Sequence, residues 1–186
     1  PEGVYGLAWS PDSSYIAFAK DEENDFSSIH VLNVTSGEST RITTPSYNAH
    51  SPKFSPDGLY LYYFSDQQIA SGGSSPYGAR GAEPMFYETS KLMCVPLRSG
   101  MTCPFFIGDE LNPEGSVFDA EFGKALPTVI STKNIEQRAQ VVPELPEAQY
   151  LGFNIIGDGS GMLLTLVHDD QVIVAVYSMY SRQILP

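Results

Sequence analysis

Three histidines, two cysteines and one acidic run hold most of the reactive side chains in this chain of 186 residues. The histidines are His30, His50 and His168. Hydrolysis through a nucleophile needs a histidine within reach of a Ser or Cys and a carboxylate to orient the ring. None of the three has such partners at a spacing that implies a triad, although triads also assemble from distant segments. The order G-x-S-x-G is missing, and Gly157-Asp158-Gly159-Ser160-Gly161 reads better as a turn. No H-E-x-x-H or Walker A pattern occurs. Asp21-Glu22-Glu23-Asn24-Asp25 lacks the glycine and the closing bidentate Glu of a calcium loop, and reads as a solvated turn. No catalytic, metal or cofactor-binding residue is assigned, and no cofactor is expected.

Cys94 and Cys103 do not form a zinc motif. In a hairpin centred on Arg98-Ser99 they stand opposite each other, which is compatible with a disulfide. Two reduced, buried thiols are the plainer alternative.

The elements that would position these side chains are announced by a repeat. Trp9-Ser10-Pro11-Asp12 returns 45 residues later as Phe54-Ser55-Pro56-Asp57-Gly58. Each copy is followed by an apolar strand, Tyr15 to Ala19 and then Tyr60 to Phe64. In the turn, Pro sets φ, Asp bonds nearby backbone, and Gly accepts positive φ. Strand, turn and strand follow in each copy: Ile29 to Val34 and Ser39 to Thr43, then Leu92 to Leu97 and Met101 to Phe106. A worn third copy turns at Asp158-Gly159, between Phe153 to Ile156 and Met162 to Val167, and continues into Val172 to Tyr177. Thr132 to Val141 is the one stretch with an ambiguous helical period.

Short strands at a period in the forties mark β-propeller blades. Tyr60 to Phe64 is apolar on both faces, as a strand covered on both sides must be. A β-sandwich core would read similarly. The fold expected is all-β: a partial β-propeller of about three four-stranded antiparallel blades. Its blades span about 4–45, 46–107 with an insertion at 66–90, and a degenerate 148–186. Residues 108–147 are the connector. Three blades cannot close a ring, so the chain reads as a piece of a longer polypeptide.

Ten Lys plus Arg against 22 Asp plus Glu leave a net charge of −12. With no basic cluster, the chain is not expected to bind nucleic acid or anionic membranes. No apolar run is long enough to span a bilayer. Recognition is better sought in irregular stretches. The insertion offers Tyr77, Arg80, Phe86 and Tyr87 as contact residues, or else it covers a blade edge. The second such stretch runs from Gly108 to Gln149.

Asn134-Ile135-Glu136-Gln137-Arg138, followed by Val142-Pro143-Glu144-Leu145-Pro146-Glu147-Ala148-Gln149-Tyr150, resembles a segment of the tricorn proteases. In that family it runs roughly D-G-I-x-x-R and then P-V-P-x-G-x-Y. Asn134, Leu145 and Ala148 depart from it. Ile29-His30-Val31, His50-Ser51-Pro52 and Tyr62-Tyr63-Phe64-Ser65 also fall in the family's order. The resemblance implies part of a seven-bladed propeller in a large cytoplasmic serine peptidase. The family's catalytic residues lie in other domains, and none maps onto this chain.

The implied role is to gate or guide peptides to that catalytic domain, with the parent's remaining domains as partners and a homo-oligomer as a further possibility. A propeller's axial channel is lined by its innermost strands. These are expected at about Val4 to Trp9, Asn48 to Phe54 and Tyr150 to Ile156, with Tyr47, His50 and Tyr150 as peptide-channel candidates. Two alternatives stay open. One is a TolB-type binding propeller acting as an interaction scaffold; the other is the propeller cap of a prolyl-oligopeptidase relative.

Overall fold

The computed structural model describes residues 3–66, 70–72, 85–87, 90–105, 126–146, 148–168 and 171–185. Fourteen strands are described: β1 (Val4–Trp9), β2 (Tyr15–Asp21), β3 (Ser27–Asn33), β4 (Ser39–Arg41), β5 (Ala49–Phe54), β6 (Tyr60–Ser65), β7 (Ala70–Gly72), β8 (Met85–Tyr87), β9 (Lys91–Pro96), β10 (Gln140–Val141), β11 (Gln149–Ile155), β12 (Gly161–His168), β13 (Gln171–Ser178) and β14 (Gln183–Leu185). The one helical element among the described residues is a 3-10 turn at Glu136–Arg138. No described helix is long and apolar enough to cross a membrane.

Three four-stranded antiparallel sheets result, in the orders β1-β2-β3-β4, β10-β9-β6-β5 and β11-β12-β13-β14. The strands β7 and β8 form a separate two-stranded ribbon within the insertion. β1 packs against β5 and β5 against β11, whereas the outer strands β4, β10 and β14 make no such contacts with one another. The sheets therefore fan out from their first strands, as the blades of a partial propeller do.

The turn chemistry repeats three times. Ser13 N–H donates to Ser10 O (2.9 Å), Gly58 N–H to Ser55 O (3.0 Å) and Gly159 N–H to Ile156 O (2.7 Å). All three donors sit at positive φ: 59°, 74° and 77°. The preceding Asp accepts from the amide two residues on: Asp12 from Ser14 (3.2 Å), Asp57 from Leu59 (2.9 Å) and Asp158 from Ser160 (2.9 Å). The first copy lacks glycine and places Ser13 in the left-handed region instead, where an L-residue is strained.

Both faces of β6 are buried, in different cores. Leu61 and Tyr63 join Ala17, Ala19, Ile29, Val31 and Phe54 between the first and second blades. Tyr62 and Phe64 join Leu92, Cys94, Phe153, Met162, Leu164 and Tyr177 between the second and third. This is the two-sided covering expected from the apolar run, and it excludes the sandwich alternative.

The second blade corrects the expected hairpin. Of the expected strand Met101 to Phe106, residues 101–105 form no strand and Phe106 lies outside the described residues. The outer place belongs to β10, which arrives from the connector and pairs Gln140 with Cys94 and Val141 with Met93. Cys103 is therefore not the cross-strand partner of Cys94. Both thiols are free and fully buried, and Cys103 Sγ–H donates to Cys94 O at 3.2 Å. The ambiguous stretch from Thr132 is this 3-10 turn followed by β10.

Gly58 and Gly37 both have positive φ, but only Gly58 is crowded. A Cβ there would lie 2.9 Å from Thr128 Oγ1 and 3.0 Å from Leu126 O, while at Gly37 nothing stands within 4 Å. Gly37→Ala should cost about 1 kcal/mol from backbone strain alone. Gly58→Ala should cost about 2–4 kcal/mol because the connector must also move. Urea unfolding of the two variants side by side checks the difference.

Candidate functional site

The first strands β1, β5 and β11 each pair on one side only. Among the described residues no strand pairs with their other edges, which face the inside of the fan; a bare strand edge can take an added strand. All three also break register near the middle. The irregularities fall between Tyr5 and Ala8, between His50 and Lys53, and between Tyr150 and Gly152. Each is a β-bulge with one extra residue on the inner strand.

Two of the bulges pack on one another. Gly6 has φ 65° and Ser51 φ 55°. A Cβ on Gly6 would lie 3.3 Å from Pro52 Cδ and 3.5 Å from Ser51 Cα, a tight fit that adds to the positive φ in favouring glycine. Pro52, without an N–H, is tolerated because the bulge asks for no ladder bond there. Leu7 and Leu151, at the bulges of the first and third blades, are exposed, as is Tyr5. The rim thus combines free strand edges with apolar side chains.

The three channel candidates divide. His50 and Tyr150 come together around Phe64: the ring centroids lie 5.5 Å (His50) and 5.7 Å (Tyr150) from it, and Phe153 adds an edge-on contact at 5.1 Å. His50 Nδ1 is 3.1 Å from Ser51 Oγ, and Tyr150 OH donates to Pro146 O at 2.6 Å. Burial holds the His50 ring below the usual histidine range, partly opposed by the Asp66 charge. Burial also pushes Tyr150 up to about 12. Both are half-buried members of the contact between the second and third blades, set behind the rim.

Tyr47 is placed elsewhere. Its hydroxyl donates to Glu136 Oε1, which also accepts from Thr44 N–H at 3.0 Å. Burial first, then this carboxylate, raise Tyr47 to about 12. Tyr47 is a strut between the loop joining two blades and the connector. Of the loop candidates, Tyr77 and Arg80 lie outside the described residues, and Phe86 and Tyr87 fall on β8.

The connector's grip is a feature that spacing alone does not show. Arg138 donates from Nε to Pro96 O (3.2 Å), from Nη1 to Lys133 O (3.0 Å), and from Nη2 to Leu97 O (3.3 Å) and Ser131 O (2.6 Å). Asp12 Oδ2 accepts from Thr128 N–H at 2.7 Å, tying the first turn to the same connector. Burial raises the Asp12 pKa, but hydrogen bonds from Ser10, Ser14 and Thr128 outweigh it and hold the carboxyl well below its ordinary value. Asn134, which stands where the resembled motif has glycine, takes φ 53°. Asn is among the residues that tolerate that region.

Sequence spacing also missed a Ser–His–carboxylate group. Ser28 and His30 alternate onto one face of β3, and Glu22 meets them from the hairpin turn. Ser28 Oγ donates to Glu22 Oε1, and both lie on one ring nitrogen, His30 Nε2: Oγ at 3.1 Å and Oε1 at 3.0 Å. In a nucleophilic triad the carboxylate and the nucleophile occupy opposite ring nitrogens. Ser28 is also fully buried. The group is a clasp that closes the hairpin, with Phe18 stacked on the imidazole at 5.6 Å. The bonds from Ser28 and then His30 lower the Glu22 pKa.

Short stretches of the chain match curated relatives. It is 38% identical over 63 residues to a tricorn-like protease C-terminal subunit of Sulfurisphaera tokodaii, covering 34% of this chain and 7% of the relative. It is 36% identical over 61 residues to a tricorn protease homolog of Saccharolobus solfataricus, covering 33% of this chain and 6% of the relative. A 50-residue stretch is 36% identical to YuxL, an uncharacterized peptidase of Bacillus subtilis, covering 27% of this chain and 8% of the relative. The crystal structure of tricorn protease superposes on 96% of the chain with a TM-score of 0.70 at 18% identity, over 18% of its own length. The chain is similar to tricorn proteases in short stretches of sequence and, over nearly all its length, in fold.

A TolB structure from Agrobacterium tumefaciens matches the fold across the whole chain, with a TM-score of 0.58 at 13% identity over 48% of that protein. No family model matches. The chain spans less than a tenth of the length of these curated relatives.

Two measurements test the site's architecture. Because folded His50 resists protonation, the unfolded chain takes up the proton first as pH falls below about 6.5. Stability should therefore fall as pH drops through the ordinary histidine range, and His50→Gln should flatten that part of the profile. Arg138→Met takes a donor from four carbonyls, of which Leu97 O keeps Ser131 N–H, and should cost about 1.5–3 kcal/mol, read as a lower urea midpoint with unchanged slope.

Proposed function

We propose that this chain is a noncatalytic propeller segment of a tricorn-like serine peptidase, and that its inner rim guides extended peptides toward a catalytic domain elsewhere in the parent. The observation that carries the reading is the rim. Three neighbouring strand edges are free, and each is bulged, with Leu7 and Leu151 exposed at two of the bulges. An extended peptide can add to such an edge through main-chain bonds and lay apolar side chains on the leucines. Main-chain recognition is indifferent to sequence, which suits a guide that handles many peptides. A folded domain presents no free strand to these edges.

The chemistry is assigned elsewhere because the one described Ser–His–carboxylate cluster is wired as a clasp. The net charge of −12 disfavours acidic peptides at the rim and favours neutral or basic ones. The family resemblance adds a cytoplasmic setting and the parent's other domains as partners.

Fluorescence anisotropy of a labelled, extended, apolar peptide tests the rim. Binding should be weak, in the micromolar to millimolar range, and should weaken at least ten-fold in the double variant Leu7→Asp, Leu151→Asp. Equal binding by wild type and variant would remove the rim from the proposal. The same protein should not hydrolyse peptides. Turnover abolished by a serine-directed inhibitor would overturn the noncatalytic assignment.

A further inference from the structure

Cys94 and Cys103 line no part of the rim, yet they meet. Both belong to the core between the second and third blades, where neither is exposed. Cys94 lies on β9, opposite Tyr62 of β6 and Gln140 of β10. Cys103 returns to it on the segment 101–105, which forms no strand. Cys103 Sγ–H donates to Cys94 O at 3.2 Å, and Cys94 Sγ–H is directed at the Cys103 thiol in turn. The Tyr62 hydroxyl reaches Cys94 Sγ. Cys103 Sγ also lies 4.0 Å from Arg138 O. The pair thus sits where β9, the segment 101–105 and the 3-10 turn of the connector converge, and each of these contacts is internal to the chain.

A small cavity comes close to them. It holds about 20 Å³, and its lining includes Asp57, Tyr60, Tyr62, Pro104 and Asp158. Tyr62 is the residue whose hydroxyl reaches Cys94, and Pro104 follows Cys103 in the chain. Such a volume admits a molecule about the size of one water. Hydrogen peroxide is only slightly larger. A peptide disulfide such as oxidised glutathione does not fit.

We propose that Cys94 and Cys103 are a redox pair, which hydrogen peroxide entering by this cavity closes into an internal disulfide. Cys103, beside the cavity lining, reacts first. Its sulfur attacks one peroxide oxygen. The S–O bond forms as the O–O bond breaks, and the departing hydroxide takes the Cys103 proton and leaves as water. The Cys94 sulfur then displaces the hydroxyl from Cys103. Its thiol proton already points at Cys103 and departs with that hydroxyl as a second water. One peroxide is thereby reduced to two waters while two thiols become one disulfide. Burial pushes the Cys94 thiol up, which keeps it from competing for peroxide as a thiolate. The closed form ties β9 covalently to the segment 101–105, and a cross-link of that kind restricts the unfolded chain. This inference goes beyond the peptide-guiding reading and uses other residues.

Peptide mapping of the whole wild-type chain tests the pair. Trypsin cuts after Lys91, Arg98 and Lys124, which puts the two cysteines in separate peptides. After treatment with hydrogen peroxide, peptides 92–98 and 99–124 should be found joined, and dithiothreitol should part them. A non-reducing gel should show no cross-linked dimer. The urea midpoint should rise on oxidation and return on reduction. Cys94→Ser should stop at a sulfenic acid on Cys103, caught by dimedone, whereas Cys103→Ser should leave Cys94 unlabelled. Oxidised glutathione should leave both wild-type thiols free over the same time. Two intact thiols after peroxide, sulfinic acid in place of the joined peptides, or a disulfide between two chains would overturn the proposal. So would dimedone on Cys94 in Cys103→Ser, a glutathione adduct, or an oxidised chain no harder to unfold than the reduced one.

Discussion

Everything in this fold rests on one constraint: an apolar strand with no polar face must be covered from both sides. β6 meets it by sending Leu61 and Tyr63 into one core and Tyr62 and Phe64 into another. A strand of that kind cannot stand in a half-solvated sheet, because burial of large side chains on one face would leave equally large ones in water on the other. The middle blade is thus held between two neighbours, and its aromatic side chains set the spacing of all three. The outer blades inherit the same pattern, with one face buried and one open.

Around this stack the connector works as a strap. From Leu126 onward it bonds to both Pro-Asp turns through Asp57 O and the Asp12 carboxylate, and passes Ser131 N–H to Leu97 O. Arg138 then collects four carbonyls, and the chain enters the second blade as its outer strand. A single guanidinium with five donors in a fixed fork suits this task, where a lysine would satisfy fewer carbonyls from one place. Glu136 joins the strap to the loop between the first two blades through Thr44 and Tyr47. The motif that resembles tricorn proteases is thus a mechanical part whose residue types are explained by the bonds they make.

The rim and the strap divide the polar work. The inner strand edges pair with no described strand, while the turns that follow them have backbone groups satisfied internally. Bulges at the same place in all three inner strands turn the rim without breaking the sheets. Gly6, at positive φ, lets two of them stack closely.

The local grammar was legible in residue order. Pro-Asp-Gly turns, strands of period two, and the two-faced apolar run in β6 are set by interactions between near neighbours, so the repeat, the blade count and the inner strands could be read directly. Long-range choices could not. That Gln140, and not Met101, pairs with β9 depends on a strap returning from about forty residues away, and strand propensity does not distinguish the two. The same is true of Tyr47, whose hydroxyl meets Glu136 of the connector, and of Glu22, which reaches Ser28 and His30 only once the hairpin has closed. By itself the sequence determined which segments must be strands and which faces must be covered, because side-chain alternation and turn stereochemistry are local. Tertiary structure alone decided which distant group satisfies each polar atom, because that outcome depends on what the fold brings into contact.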